Sequence, residues 1–372
     1  VNINLFYICS VVTRMGLGAF HKKKRFCINK IKINFLSFFF ARKKNAKINA
    51  DKIQTCLLIH DNNKLGDLIV LSSLYRELTN RGVQLSILTT ETGKAFLSGN
   101  RRIHQFYIKK SNAISDVLAL RKCLSRESFD IVLDPFETMP SFGHSLLLSG
   151  VRNAHILGFD KWYQRYYTVY HPHDEKLTAH MCTRASEILR HFYGDERHEF
   201  DVSYDLPLPE SVEKDVLNFV GDSKIIIINA LGAKKICRLS DEQIGTIYSH
   251  LCKQYPDYRI IFTGLAEDIR SIAIPGIESL PFKEFIYTVA LTKFSQYVIS
   301  VDTALVHIAS AYEIPTLALY PNARQTTYPS HLIWAPNNCN ALQVVSPTYT
   351  VKDISLKVLT ESVEGLLSKH QK

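Results

Sequence analysis

The chain has 372 residues, 46% apolar and 22% charged, which suffices for two buried cores and excludes a disordered or low-complexity body. Its net charge of +10 sits at one end: residues 1–50 hold eleven Lys or Arg and no acid, whereas the other 322 residues hold 34 basic against 35 acidic. A neutral body argues against a nucleic-acid reader, whose basic stripe would be built into the fold, and no run of 18 apolar residues offers a membrane-spanning helix. The eight cysteines show no C-x-x-C pair and no zinc-like His spacing, so neither a disulfide framework nor a structural zinc site is expected, and a reducing compartment fits.

Residues 1–50 alternate basic clusters (Lys22 to Arg25, Arg42 to Lys44) with short apolar runs, notably Phe35 to Ala41. Aromatic residues flanked by Lys and Arg suit an anionic membrane surface, while the same stretch also reads as a floppy or mis-started extension, Met15 being the first Met. The apolar run near residues 5–12 has no basic segment before it, so a signal peptide is not expected.

From residue 55 the chain alternates β-branched runs with helical periodicity. Strands are predicted at Thr55 to His60, Val83 to Leu88, Arg102 to Ile108, Asp130 to Leu133 and His155 to Leu157. A helical stripe runs through Leu68, Leu71, Leu74, Tyr75 and Leu78, and further helices cover Ile114 to Leu124 and about Thr178 to Phe192. A polar, Pro-bearing stretch at 203–222 reads as a linker with one short helix. The second block offers strands at Lys224 to Ile228, Arg259 to Thr263, Gln296 to Val301 and Thr316 to Leu319, with helices at Ser240 to Gln254 and about 282–292, 303–312 and 353–368. Strand–helix succession of this kind builds parallel sheets covered on both faces. Two tandem doubly wound units would leave a cleft at the carboxyl ends of their strands, where ligands bind.

Three loops could carry chemistry. Asp61-Asn62-Asn63-Lys64-Leu65-Gly66-Asp67 follows the first strand; Gly66 permits a tight turn and close approach, and Asp67 either takes a proton from a nucleophile or complements the helix dipole. Asn229 to Arg238 follows the first strand of the second block and brings Lys234, Lys235 and Arg238 to a helix start, as a phosphate cradle or as a solvated basic loop. Ser300 to Ala311 passes from strand to helix, so amides near Thr303, Ala304 and Leu305 could receive an anion. On its helical wheel Thr303, His307 and Ser310 form a polar edge, predicted to face away from the core, and Asp302 caps the helix or faces the ligand.

The third loop, followed by Pro315 and an apolar strand, resembles the signature of glycosyltransferase family 9, the heptosyltransferases of lipopolysaccharide core assembly. Leu65-Gly66-Asp67 matches that family's amino-terminal turn, and Asn229-Ala230-Leu231-Gly232-Ala233 resembles its N-P-G-A loop, in the right order over about residues 55–335. The resemblance implies a GT-B fold: two Rossmann-like α/β domains with an interdomain cleft. Boundaries are expected at 1–50 for a basic extension, 51–205 for an acceptor domain and 206–372 for a nucleotide-sugar domain. It further implies inverting, metal-independent transfer of heptose from ADP-heptose to the lipopolysaccharide or lipooligosaccharide inner core by a cytoplasmic enzyme peripheral to the inner membrane, with no cofactor. Asp67 matches the general base, Asp302 the donor-sugar contact, Thr303, Ala304 and Leu305 the diphosphate-binding helix start, and His307 the helical His of that site. Ala304 replaces a frequent Gly, and the donor-phosphate Lys of some members falls near Cys237, so Lys234, Lys235 or Arg238 must supply that charge. Another nucleotide sugar, or a non-catalytic binder of sugar nucleotide, is the alternative. Lys161, Tyr163, Arg165 and Tyr166 offer stacking and clamping groups in the variable stretch 136–175, which otherwise reads as an ordinary surface loop.

Overall fold

A computed structural model describes residues 17–42, 48–136, 141–159, 164–171, 179–194, 200–322 and 329–369, and side chains from residue 27 onward. In chain order the elements are α1 (Leu17–Phe39), β1 (Thr55–Ile59), α2 (Leu65–Val70), α3 (Ser72–Asn80), β2 (Gln84–Thr89), α4 (Glu91–Leu97), β3 (Ile103–Ile108), α5 (Ile114–Leu124), β4 (Ile131–Asp134), α6 (Phe142–Gly150), β5 (His155–Phe159), β6 (Val169–His171) and α7 (Thr183–Tyr193). They continue with α8 (Glu210–Val220), β7 (Lys224–Asn229), α9 (Asp241–Gln254), β8 (Tyr258–Phe262), α10 (Ala266–Arg270), β9 (Glu278–Ser279), α11 (Phe285–Lys293), β10 (Tyr297–Val301), α12 (Ala304–Ala311), β11 (Thr316–Tyr320), α13 (Ser330–Ile333), β12 (Ala341–Val345) and α14 (Leu356–Lys369).

The strands form two six-stranded sheets, ordered β3-β2-β1-β4-β5-β6 and β12-β11-β10-β7-β8-β9, with parallel pairing such as Leu57 opposite Ser86 and Ile227 opposite Ile261. Continuous apolar runs at β1, β7 and β10 are what a sheet buried on both faces requires: Leu57, Leu58, Ile226, Ile227 and Val298 are fully buried. The expected α/β class is present.

The chain groups into two compact units. The described residues within 1–61, 83–90 and 105–173 form one unit and hold the first sheet; those within 62–82, 91–104 and 174–372 form the other and hold the second sheet together with α2, α3 and α4. The core of the first unit gathers Leu57, Val117, Val132, Leu147, Ile156 and Tyr166, and that of the second gathers Ile226, Ile244, Phe262, Ile299, Leu317 and Leu366.

Three expectations change. The single stripe from Leu68 to Leu78 is two helices broken at Leu71 (φ −101°, ψ 6°), and the Tyr75 hydroxyl donates to the Leu68 carbonyl at 3.0 Å across the break. The basic extension contains a regular helix, α1, of which one side packs on the first core: Ile33 is 1% exposed, with Leu36 and Phe40 beside it. Beyond the helix, Arg42 donates through Nη1 to the Ala154 carbonyl at 2.7 Å and through Nη2 to that of Val151. The other side of α1 exposes Ile28, Ile31, Phe35, Phe38 and Phe39. Finally, Tyr166 is a fully buried core residue rather than a surface stacking group, and the Arg165 carbonyl accepts from the Arg42 amide at 2.9 Å; Lys161 and Tyr163 lie outside the described residues.

Candidate active site

The site is built in the second unit where α2 packs against α12. Gly66 allows this: a methyl there would lie 3.5 Å from His307 Cδ2 and 3.8 Å from Ala304. Its φ is not in the left-handed region, so closeness between helices, not a turn, accounts for the glycine. Asn62 begins the turn into α2 by accepting the Lys64 amide at 2.7 Å, a side-chain-to-backbone bond that short polar residues favour ahead of a helix.

Asp67 lies in the first turn of α2 and is 7% exposed. Burial raises its pKa to about 6, against the opposing charges of Lys64 and Arg184 and a hydrogen bond from Asn62. A buried carboxylate poised near neutrality, with cations beside it, is suited to accept a proton.

Thr303 caps α12: its hydroxyl accepts from the Leu305 amide at 3.3 Å, and its carbonyl accepts from the Val306 amide at 3.2 Å. The Leu305 amide, expected to be open to an anion, is therefore engaged, and among the described residues no hydrogen bond from the Thr303 or Ala304 amide is seen at this helix start. Thr303 rather than Asp302 is the cap. Asp302, freed from that task, has its pKa raised by burial, opposed by a Ser330 hydrogen bond and the charge of Lys234. Ala304 tolerates the frequent glycine position because its φ is not positive.

His307 does not face away from the core. It is 4% exposed, with the Tyr204 and Trp334 rings edge-on at 6.1 and 5.8 Å between centroids, because α2, Tyr204 and Trp334 cover the polar edge read from the helical wheel. Burial, with His180 nearby, lowers its pKa to about 3, so it is a neutral imidazole; Nδ1 is buried without a hydrogen-bond partner among the described residues. Ser310, on the same edge, is buried and donates to the Val306 carbonyl at 2.9 Å.

The basic loop after β7 closes on itself. The Gly232 amide donates to the Cys237 carbonyl at 2.8 Å and Leu239 to Ala230 at 3.0 Å, and a Cβ at Gly232 would lie 2.7 Å from the Cys237 oxygen, so only glycine fits. Lys234 and Lys235 are exposed, and Lys234 acts electrostatically on both Asp302 and Cys237. Arg238 is instead ion-paired with Asp268, which removes it from the set of unpaired cations. Cys237 is buried, and burial with the Asp302 charge pushes its thiol up to about 12, so it is no nucleophile. Asn229 ends β7 with its Oδ1 buried and unpartnered among the described residues, and Thr263 Oγ1 is in the same condition past β8. Spacing in the sequence brought Asp67, Asp302 and Lys234 to notice. Arg184, Tyr204, Ser330 and Trp334 carry no such signal, since they reach the site from distant segments; Asn62, directly before the Leu-Gly-Asp turn, could have been read as its Asx residue.

Comparison with known proteins identifies the family and the fold. A family model described as glycosyltransferase family 9 (heptosyltransferase) matches residues 117–358. A relative from Escherichia coli (strain K12), named "Putative lipopolysaccharide heptosyltransferase 4", is 61% identical over 353 residues, covering 95% of this chain and 98% of its own. Among solved structures, a glycosyl transferase family 9 protein from Veillonella parvula DSM 2008 superposes with a TM-score of 0.72 at 14% identity, over 87% of this chain and 99% of that one. The ADP-heptose lps heptosyltransferase II of E. coli gives 0.68 at 17%, over 86% and 100%. These two likenesses show the GT-B fold, two parallel-sheet α/β domains in tandem. The chain belongs to glycosyltransferase family 9, the heptosyltransferase family.

Proposed function

We propose that this enzyme moves heptose from ADP-heptose to a sugar of the lipopolysaccharide core in one inverting, metal-independent displacement. The observation that supports the reading is the seating of α2 on α12 through Gly66, which brings the residue before Asp67 close to Ala304 at the start of α12; in this reading the amides of Thr303 and Ala304 face the donor diphosphate. Asp67 takes the proton of the attacking acceptor hydroxyl. As the anomeric C–O bond to the donor diphosphate breaks, negative charge grows on the leaving oxygen, and those amides with Lys234, and Lys235 next to it, receive it. Asp302 contacts the donor sugar, and His307, neutral and walled by rings, fixes the distance between the two helices. The family membership and the relatives named for heptosyl transfer, one of them for lipopolysaccharide and one for ADP-heptose, support donor and acceptor class.

The same reading gives the extension a place. An acceptor anchored in a membrane is met at the lipid surface, and α1 with its exposed phenyl rings and flanking basic residues would seat the enzyme there, peripheral to the inner leaflet.

Purified protein incubated with ADP-heptose and a panel of truncated core acceptors should give a product heavier by one heptose in mass spectrometry. Transfer only from a different nucleotide sugar would replace the donor assignment. That second reading has one observation in its favour: the buried Cys237 and the paired Arg238 stand where a free donor-phosphate cation was expected.

A further inference from the structure

The proposed reaction makes no use of a group of ionised side chains at the carboxyl edge of the first sheet. Asp61 lies two residues past β1, Lys109 follows β3, Asp134 closes β4, and His144 stands in the first turn of α6. His144 is held at both ring nitrogens: Nε2 is 2.8 Å from Asp134 Oδ2 and Nδ1 is 3.3 Å from Asp61 Oδ2. Tyr167 donates to the same Asp134 oxygen at 2.5 Å. Burial works against the charged ring, but Asp134 and Asp61 outweigh it and push the pKa to about 9, so His144 is an imidazolium. Lys109 Nζ donates to Asp61 Oδ2 at 2.8 Å and to the Asp61 carbonyl at 3.3 Å.

Two features of this cluster point outward. The side chains of His144 and Asp134 are each 2% exposed, whereas those of Asp61 and Lys109 are 12% and 11% exposed, so the inner pair is sealed and the outer pair reaches the surface. Among the described residues every hydrogen bond to the Asp61 carboxylate runs to Oδ2, so Oδ1 is an acceptor there, and Lys109 has spent two of its three ammonium protons. Stability is a poor reason for such a group, since buried charges seldom outperform apolar packing of equal volume, and the carboxyl edge of an open parallel sheet is where ligands sit.

The chemistry narrows the ligand. A metal would need an imidazole lone pair, and both nitrogens of His144 face carboxylates; among the described residues no group of three or more His, Cys, Asp or Glu could hold a metal. An anion gains little from Lys109, whose charge Asp61 cancels. A hydroxyl is at once donor and acceptor, and adjacent hydroxyls on a sugar ring match a carboxylate oxygen beside an ammonium proton.

We propose that Asp61 and Lys109, oriented by His144 and Asp134, form a carbohydrate subsite for two neighbouring hydroxyls of the acceptor glycan. The acceptor identity rests on the proposed function; the binding does not require turnover. In this arrangement His144 and Asp134 are positioning residues.

The test is titration of the full chain with deacylated lipopolysaccharide core oligosaccharide, without donor, by calorimetry. Wild type binds; Lys109→Met and Asp61→Asn each weaken binding on the order of tenfold, as loss of a charged hydrogen bond predicts, and Lys109→Arg restores most of it. His144→Gln raises acceptor KM at least fivefold with kcat within twofold, a split that general destabilisation would not produce. ADP-heptose affinity is unchanged throughout. The subsite is refuted if wild type does not bind the glycan, if both variants bind as wild type does, or if they lose donor affinity in parallel. Failure of heptose transfer by a wild type that still shows this binding pattern would count against the proposed reaction alone.

Discussion

At the scale of single residues, Asp67 sets activity and stability against each other. Its carboxylate is the proton-accepting form, and burial raises the pKa to about 6, so kcat/KM should climb as pH rises through about 6 and level off above it; a rate independent of pH between 5 and 8 would remove Asp67 as the base. The same shift costs folding. A carboxyl whose pKa is higher in the folded than in the unfolded chain is penalised above the folded value and unpenalised below the unfolded one, and the rise from 3.8 to about 6 corresponds to ~3 kcal/mol at neutral pH. Asp67→Asn should therefore abolish transfer yet raise the melting temperature at pH 7.5, with the gain vanishing near pH 3, where Asp67 is protonated in both states. Asp302→Ala should instead weaken ADP-heptose binding, read by calorimetry as roughly a tenfold or larger rise in Kd from the lost charged hydrogen bonds. An unchanged titration would show that Asp302 does not touch the donor.

At the scale of elements, the loop joining β7 to α9 is folded back on itself by backbone bonds from Gly232 to Cys237 and from Leu239 to Ala230. Gly232→Ala forces a methyl to 2.7 Å from the Cys237 carbonyl oxygen, and overpacking of this kind costs ~1–3 kcal/mol. The variant should melt lower and bind donor less tightly, because Lys234 shifts with the loop; a wild-type melting temperature would mean the loop relaxes freely. The strands β1, β7 and β10 and the helix α5 were legible because apolar runs and periodic stripes are the direct imprint of a doubly covered sheet. Other elements left little trace. The edge strand β12 is only partly buried along its length, and the short α4 carries Gly93 within it, so neither shows a clean period. In α1 a buried stripe is encoded at Ile33, Leu36 and Ser37, continued by Phe40 just past the helix, without an intervening Gly or Pro, but basic clusters and exposed phenyl rings interleave with it and blur its period. The site divides in the same way: residues following strands could be placed from sequence, whereas the burial of His307 and the pairing of Arg238 with Asp268 depend on segments far away in the chain, which no local pattern encodes.

At the scale of the whole molecule, charge is segregated: the body is neutral and the first 50 residues carry the entire excess. Such a distribution attracts an anionic surface to one end without committing the rest of the protein, at ~1 kcal/mol per basic residue near the lipid and within about a Debye length. Removing residues 1–50 outright is a poor test, because Ile33 is buried in the first core and Arg42 bonds the carbonyls of Val151 and Ala154, so truncation would damage the fold along with the surface. Substituting Phe35, Phe38 and Phe39 by Ser separates the two, since these rings are 70%, 73% and 63% exposed and their loss removes no core packing. The triple variant should keep the wild-type melting temperature and transfer heptose to a soluble truncated acceptor at the wild-type rate, while its co-sedimentation with vesicles rich in anionic lipid falls by roughly tenfold or more, as apolar burial at the interface is lost. Wild-type binding should also weaken steeply as salt rises and be slight on neutral vesicles. Co-sedimentation that survives both the triple substitution and high salt would mean that α1 is only a structural brace of the first core and that the acceptor is met without it.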